Sequence, residues 1–228
     1  MFDQSLAAVS RERFAELETL LNKAKTTLQG GAKPEGFSLA SQPCLAGMTQ
    51  VKATVKMQAD QIVESEILIV RPNGSLAKSF LKDSPYRLQQ VQDSINCLAN
   101  VLESLHCVRI NDQVLTMISC TASLQNLLLE IRRSRTMLEC PKRKSLEEHV
   151  RGQRPNFMPP LPKDMVLSWF LSGQELALAL YIVKLNPADR TIELVGRCSA
   201  TIAIPRLQLV IDLLDEASQL VLFLLNKI

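Results

Sequence analysis

Aromatic residues, glycine and histidine are all scarce in this sequence. Only 4% of the 228 residues are aromatic, and there are 8 glycines and 2 histidines. Apart from the adjacent pair at positions 30 and 31, the glycines are scattered, so the chain lacks the glycine-rich turn that precedes a helix in many nucleotide sites. His106 and His149 are far apart and have no ligand spacing around them. We therefore expect neither a nucleotide cofactor nor a bound metal.

The sequence also lacks a long apolar run, and its first stretch predicts an amphipathic helix rather than a signal peptide. The longest uncharged stretch, residues 113–129, contains many polar side chains, which makes it unsuitable as a membrane span. Cysteine is present, but without a C-x-x-C pair or the dense spacing of secreted domains. We expect a cytosolic protein with six reduced thiols: Cys44, Cys97, Cys107, Cys120, Cys140 and Cys198.

The charge balance is too mild to make nucleic acid an expected partner. The formal net charge is +3 at pH 7. Positive charge is concentrated in residues 130–154, where a proline-rich loop carries three adjacent basic residues, Lys142, Arg143 and Lys144. This basic loop either contacts a phosphate, an acidic lipid or an acidic protein surface, or is a solvated linker. It is the first predicted partner-binding site.

Leucine is the residue in excess, with 37 copies. Four segments place apolar residues at alternating steps of three and four, which keeps one face of a helix apolar. The second segment follows Ser84 and Pro85, a hydroxyl cap and a proline suited to the first helical turn. The four predicted helical stripes begin at Phe14, Leu88, Val114 and Leu207.

Apolar and polar residues alternate in the stretches between these helices, which predicts strands with one wet face. The sequence RPNG at residues 71–74 predicts the turn of a hairpin. Residues 175–185 have some helical propensity, but the short loop before them favours a second hairpin. The predicted strands span residues 50–58, 65–70, 76–80, 166–171, 176–183 and 191–204.

The order helix, three strands, two helices, three strands, helix indicates an α+β fold rather than a parallel sheet with crossovers. We predict a discontinuous four-helix bundle packed beside an antiparallel β-sheet of about six strands. The predicted bundle combines residues 1–31, 84–139 and 205–228. The predicted β domain combines residues 37–83 and 163–204, and residues 140–162 form a basic, proline-rich linker.

The C-terminal helix is apolar over more than the single stripe that one core contact requires. It is therefore either central in the bundle or partly available to a partner. Its outer face is the second predicted partner-binding site, with Leu209, Leu213 and Leu222 as contacts. The heptads also allow a zipper homodimer, although four stripes in one chain can satisfy each other internally.

No residues in the sequence form a pattern typical of an enzyme. His106 and Cys107 are neighbours, but adjacent residues of a helix point about 100° apart and cannot form a nucleophile–base pair. The carboxylates are dispersed, and nothing in their spacing brings two together. We expect a protein without catalytic residues and without a cofactor.

Several segments resemble the Rogdi family. They are QVK at residues 50–52, RPNG at 71–74 and RLQQVQD at 87–93. Two further segments agree, namely PLPKD at residues 160–164 before paired strands, and IP at 204–205 before the last helix. The resemblance extends from about residue 50 to the C-terminus, and the first helix fits by its position and pattern.

The resemblance implies a non-catalytic adaptor. The Rogdi family is similar to the small subunit of the RAVE assembly, which promotes joining of the two sectors of the vacuolar proton-pumping ATPase. The implied partners are a WD-repeat rabconnectin-type scaffold and the peripheral subunits of the ATPase. The implied location is the cytoplasm, with recruitment through partners to the cytosolic face of endosomal, lysosomal or synaptic vesicle membranes, and the nucleus as a further site. The alternative is a homodimeric helical-bundle interaction protein with no link to the ATPase.

Overall fold

Two compact units, each discontinuous in sequence, make up the chain. The computed structural model describes residues 4–42, 49–72, 74–80, 85–110, 117–141, 145–151, 157–186 and 191–227. The helical unit contains residues 1–30, 90–139 and 205–228, and the sheet unit contains residues 31–89 and 140–204. In chain order the elements are α1 (Gln4–Gln29), β1 (Glu35–Ala40), β2 (Gln50–Gln58), β3 (Gln61–Arg71), β4 (Gly74–Phe80), β5 (Tyr86–Arg87), α2 (Gln89–Ile110), α3 (Met117–Glu139), α4 (Leu146–Arg151), β6 (Phe157–Met158), β7 (Met165–Ser172), β8 (Glu175–Leu185), β9 (Ile192–Ala203) and α5 (Pro205–Leu225).

Within the described residues, the four long helices of the helical unit bury most of the apolar stripes that predicted them. Val114, where the third predicted stripe begins, lies outside the described residues. Helix α5 packs against both α1 and α3. Helices α2 and α3 are joined by a hydrogen bond between the buried hydroxyls of Ser94 and Ser134, and by one from Gln90 Nε2 to the Met137 carbonyl. The apolar stripe of α1 is almost fully buried. The helix ends before Gly30, whose positive φ of 70° terminates it. The predicted α+β class, with four helices and antiparallel strands, is confirmed.

The start of α2 differs from the prediction. Pro85 does not open the helix, because Tyr86 and Arg87 form β5 and pair with Ile62 and Gln61 of β3. The Leu88 N–H then donates to the Asp60 carbonyl, and the helix begins at Gln89. Tyr86 also donates from its hydroxyl to the Trp169 carbonyl, so tertiary contacts override the local helix signal. Ser84, the predicted cap, lies outside the described residues.

All strand pairs in the described part of the chain are antiparallel. One sheet has the order β1-β2-β3-β4-β6, with β5 paired to β3, and the other has the order β7-β8-β9. The six predicted strands correspond to β2, β3, β4, β7, β8 and β9, whereas β1, β5 and β6 were not predicted. The predicted hairpins form, with Gly74 and Gly173 at positive φ in their turns.

The sheet unit has an aliphatic core between its two sheets. Alternate residues of β2 are buried, namely Val51, Ala53, Val55 and Met57, as the alternation predicts. In β8, residues 176–180 are buried on both faces. The sheets meet where β1 and β2 approach β9, and the Ser41 hydroxyl lies 3.1 Å from Cys198 Sγ. The described part of the segment predicted as a linker, residues 140–141, 145–151 and 157–162, belongs by its contacts to this unit.

The cysteines do not all have the predicted state. Cys97, Cys107 and Cys140 are free thiols. Cys198 is disulfide-bonded, so the prediction of reduced thiols is wrong for this residue. Sequence spacing could not reveal the bond, because pairing depends on which cysteines the fold places within bonding distance.

Candidate partner-binding surfaces

A contact between a thiol and a carboxylate lies between α2 and α3. Cys97 Sγ is 3.2 Å from Glu130 Oε2 and 3.3 Å from the Glu130 carbonyl oxygen. Burial, followed by the hydrogen bond and negative charge of Glu130, raises the pKa of the Cys97 thiol to about 12. The thiol is therefore protonated at neutral pH and is a poor nucleophile.

His106 and Cys107, the neighbouring pair considered in the sequence, both lie exposed on α2. Among the described residues, no group of three or more His, Cys, Asp or Glu side chains is placed to hold a metal ion. In the same part of the chain, no helix has both the length and the apolar character needed to cross a bilayer.

The predicted contacts on α5 lie in three different environments. Leu209 is 43% exposed and Leu222 is half-buried, whereas Leu213 is only 4% exposed. The expectation that Leu213 lies on the outer face is therefore wrong. Its position extends the buried face of α5 formed by Val210, Leu214 and Ala217, because this face is wider than a single heptad stripe. The basic loop, Lys142, Arg143 and Lys144, lies outside the described residues.

The outer face of α5 includes an aromatic contact that the sequence did not reveal. Phe223 is 39% exposed and lies between two cations. Arg13 of α1 and Lys227 place their charged groups 5.7 and 5.6 Å from the centre of the Phe223 ring. Only the packing of α1 on α5 brings Arg13 to this ring, so local periodicity could not predict it.

A concave pocket with a volume of about 810 Å³ lies on the larger sheet. We call it the sheet groove. Its lining includes exposed side chains from five strands, so it depends on the register between segments that are distant in sequence. The exposed or half-buried residues that line it are Ser38, Ala40, Lys52, Thr54, Glu66, Leu68, Ala77, Ser79, Met158 and Pro159. The alternation in β2 had predicted that Lys52 and Thr54 lie on a wet face, but not that this face is concave.

The family model and the known proteins that match this chain all point to the same family. Protein rogdi of Drosophila melanogaster is 31% identical over 161 residues, which cover 66% of this chain and 56% of that protein. The proteins named Protein rogdi homolog of Mus musculus and Homo sapiens are each 28% identical over 156 residues, which cover 67% of this chain and 53% of each relative. The chain spans about half the length of the curated relatives it matches. The sequence model of the family described as Rogdi leucine zipper containing protein matches residues 5–199. Because this match covers most of the sequence, the chain belongs to the Rogdi leucine zipper containing protein family.

Proposed function

We propose that this chain is a non-catalytic adaptor subunit of a RAVE-like complex, which promotes assembly of the vacuolar proton-pumping ATPase. The observation that carries the proposal is membership of the Rogdi family across residues 5–199. The proposed partners are a WD-repeat scaffold of the rabconnectin type and the peripheral subunits of the ATPase. Recruitment to the cytosolic face of endomembranes follows from these partners.

The structure supports an adaptor role through its surfaces. Each unit has exposed large apolar side chains, for example Leu209 and Leu129 in the helical unit and Met158 and Val195 in the sheet unit. Exposed apolar side chains favour contact with other proteins when they are grouped with polar neighbours.

The alternative function, a homodimeric zipper, has less support. The stripe residues of α1 and α5 are already buried against other parts of the same chain, for example Leu17, Leu21, Leu214 and Val221 at 0% exposure. A zipper through either helix would have to withdraw these residues from the existing core. The outer face of α5 instead combines exposed apolar residues with acidic ones, including Leu209, Asp212, Glu216 and Phe223.

Gentle affinity recovery tests the proposal. The tagged chain is recovered from cytosolic and membrane fractions of its own cells, and the proteins recovered with it are identified by mass spectrometry. We expect a WD-repeat scaffold together with peripheral ATPase subunits. Recovery of the chain alone, or only with further copies of itself, would leave the fold description intact and remove the adaptor proposal.

The same preparation tests the basic loop. Reversing the charges of Lys142, Arg143 and Lys144 to glutamate should weaken recovery of the partners if this loop binds an acidic surface. Arg132→Glu and Arg133→Glu, exposed on α3, provide a control for a change in net charge. Unchanged recovery with the loop variant would remove the loop from the set of contacts.

A further inference from the structure

The sheet groove is formed by two rows of side chains that cross the larger sheet. In one row, the backbone register aligns Ser38 with Thr54, Thr54 with Glu66, and Glu66 with Ser79. In the adjacent row, Ala40 is opposite Lys52, Lys52 opposite Leu68, and Leu68 opposite Ala77. Many of these side chains are small, which leaves a concave surface with Met158 and Pro159 at the β6 edge.

Among the described residues, two opposite charges in the groove have no ion-pair partner. On the same two strands, Lys56 and Glu64 form a salt bridge with a separation of 2.7 Å between Nζ and Oε2. Within the described residues, neither Lys52 nor Glu66 has such a partner. They occupy diagonal positions on β2 and β3, where Cα atoms are about 7–8 Å apart. As far as the described side chains show, the groove therefore offers the cation of Lys52 and the anion of Glu66 for pairing, together with Leu68 at 38% exposure and Met158 at 54%.

The shape of the groove favours a convex partner. Four strands spaced by about 4.8 Å give a floor roughly 14 Å wide, which can hold one α-helix with a diameter of about 10–12 Å. Acidic and basic side chains three or four positions apart on a helix lie about 5–6 Å from each other, with apolar residues beside them. Such a helix can place a carboxylate on Lys52, a cation on Glu66, and apolar side chains on Leu68 and Met158. A second copy of this chain fits poorly, because two concave faces would enclose a void.

We infer that the sheet groove binds an amphipathic helix of a partner protein, whose acidic and basic side chains pair with Lys52 and Glu66. This inference rests on the proposed adaptor function, because it takes from that function the existence of a protein partner. It goes further by naming the surface and the chemistry of the segment bound there. The inferred contact belongs to the helix-in-groove mode of recognition, in which apolar anchors give affinity and flanking charges give orientation.

Photo-crosslinking in cells tests the inference on the full chain. Benzoyl-phenylalanine is placed at Leu68, in the groove, and in a separate variant at Leu129 on α3, which is 63% exposed and lies outside it. We expect the adduct at position 68 to map to one segment of another protein, with helical periodicity and opposite charges three or four residues apart. Lys52→Glu should reduce the yield of this adduct about fivefold, and Glu66→Lys should have a similar effect.

Lys56→Glu is the control on the same strand and face. It makes the same charge change outside the groove lining and also breaks the ion pair with Glu64, yet it should leave the adduct at position 68 unchanged. Circular dichroism and thermal unfolding of each variant confirm that the fold is retained. A stable Lys52→Glu variant with an undiminished yield of the adduct would overturn the inference.

The identity of the adduct separates this inference from the proposed function. An adduct with a second copy of the chain, or none at position 68 while the scaffold still copurifies, overturns the groove inference and leaves the proposed function in place. A charge-sensitive adduct with the expected helix, in preparations that lack the scaffold and ATPase subunits, supports the groove inference and overturns the proposed function.

Discussion

At the scale of single residues, the pair Ser94 and Ser134 shows how two small polar side chains fix one helix against another. Both are fully buried, and their Oγ atoms are 2.7 Å apart across α2 and α3. A buried hydroxyl that loses its partner has the cost of desolvation without the compensating hydrogen bond. The pair therefore favours one register of the two helices over neighbouring registers.

Ser94→Ala should lower the free energy of unfolding by about 1 kcal/mol, because it leaves the Ser134 hydroxyl with only the longer contact to the Ser94 carbonyl. The double variant Ser94→Ala and Ser134→Ala should cost less than the sum of the single variants. Urea unfolding of the four proteins in this mutant cycle measures the coupling. Strictly additive effects would show that the hydroxyls do not act as a pair.

Cys97 gives a prediction about pH. Its pKa is about 12 in the folded chain, compared with 9.0 for an unperturbed thiol. The contribution of the protonated thiol to stability is therefore complete below pH 9 and is lost as the pH rises from 9 to about 12.

Alkylation by iodoacetamide at pH 8 should modify Cys107 and Cys140, which are exposed, much faster than Cys97. Glu130→Gln should lower the pKa of Cys97 and extend its reactivity to lower pH, whereas equal rates for all three thiols would contradict this account.

At the scale of secondary-structure elements, substitutions on the buried and exposed sides of α5 should differ in their effect on stability. Leu214 is 0% exposed, so Leu214→Ala should destabilise the chain by about 2–5 kcal/mol. Leu209→Ala, on the outer face, should change stability by only about 0.5 kcal/mol or less. Chemical unfolding followed by circular dichroism compares the two variants. A small effect of Leu214→Ala, together with a shift from dimer to monomer in light scattering, would favour the zipper homodimer instead.

Elements whose identity depends on local pattern could be predicted from the sequence. The heptads of α1, α2, α3 and α5 and the alternation of β2 depend on spacing within one segment, and each predicted its element. The strands β5 and β6 could not be predicted, since each is two residues long and is defined by its pairing with a distant strand. For the same reason the sequence indicated Leu209 but not Phe223 or the sheet groove, which need tertiary packing and strand register.

At the scale of the whole molecule, segments of two compact units alternate along the sequence. The helical unit presents the outer face of α5 with Leu209 and Phe223, and the sheet unit presents the groove with Lys52, Glu66 and Leu68. Each unit therefore has its own candidate surface for a protein partner. A subunit with two such surfaces is suited to hold a scaffold and a second component at the same time, which is what an assembly adaptor requires.

Assembly of the proton-pumping ATPase is the most direct test of this account. In cells that lack the chain, the fraction of peripheral ATPase subunits bound to membranes is measured by fractionation and quantitative blotting, with and without restoration of the intact chain. We predict that this fraction falls when the chain is absent and recovers when it is restored, while the total amount of each subunit stays the same. An unchanged membrane-bound fraction in the absence of the chain would contradict the adaptor role.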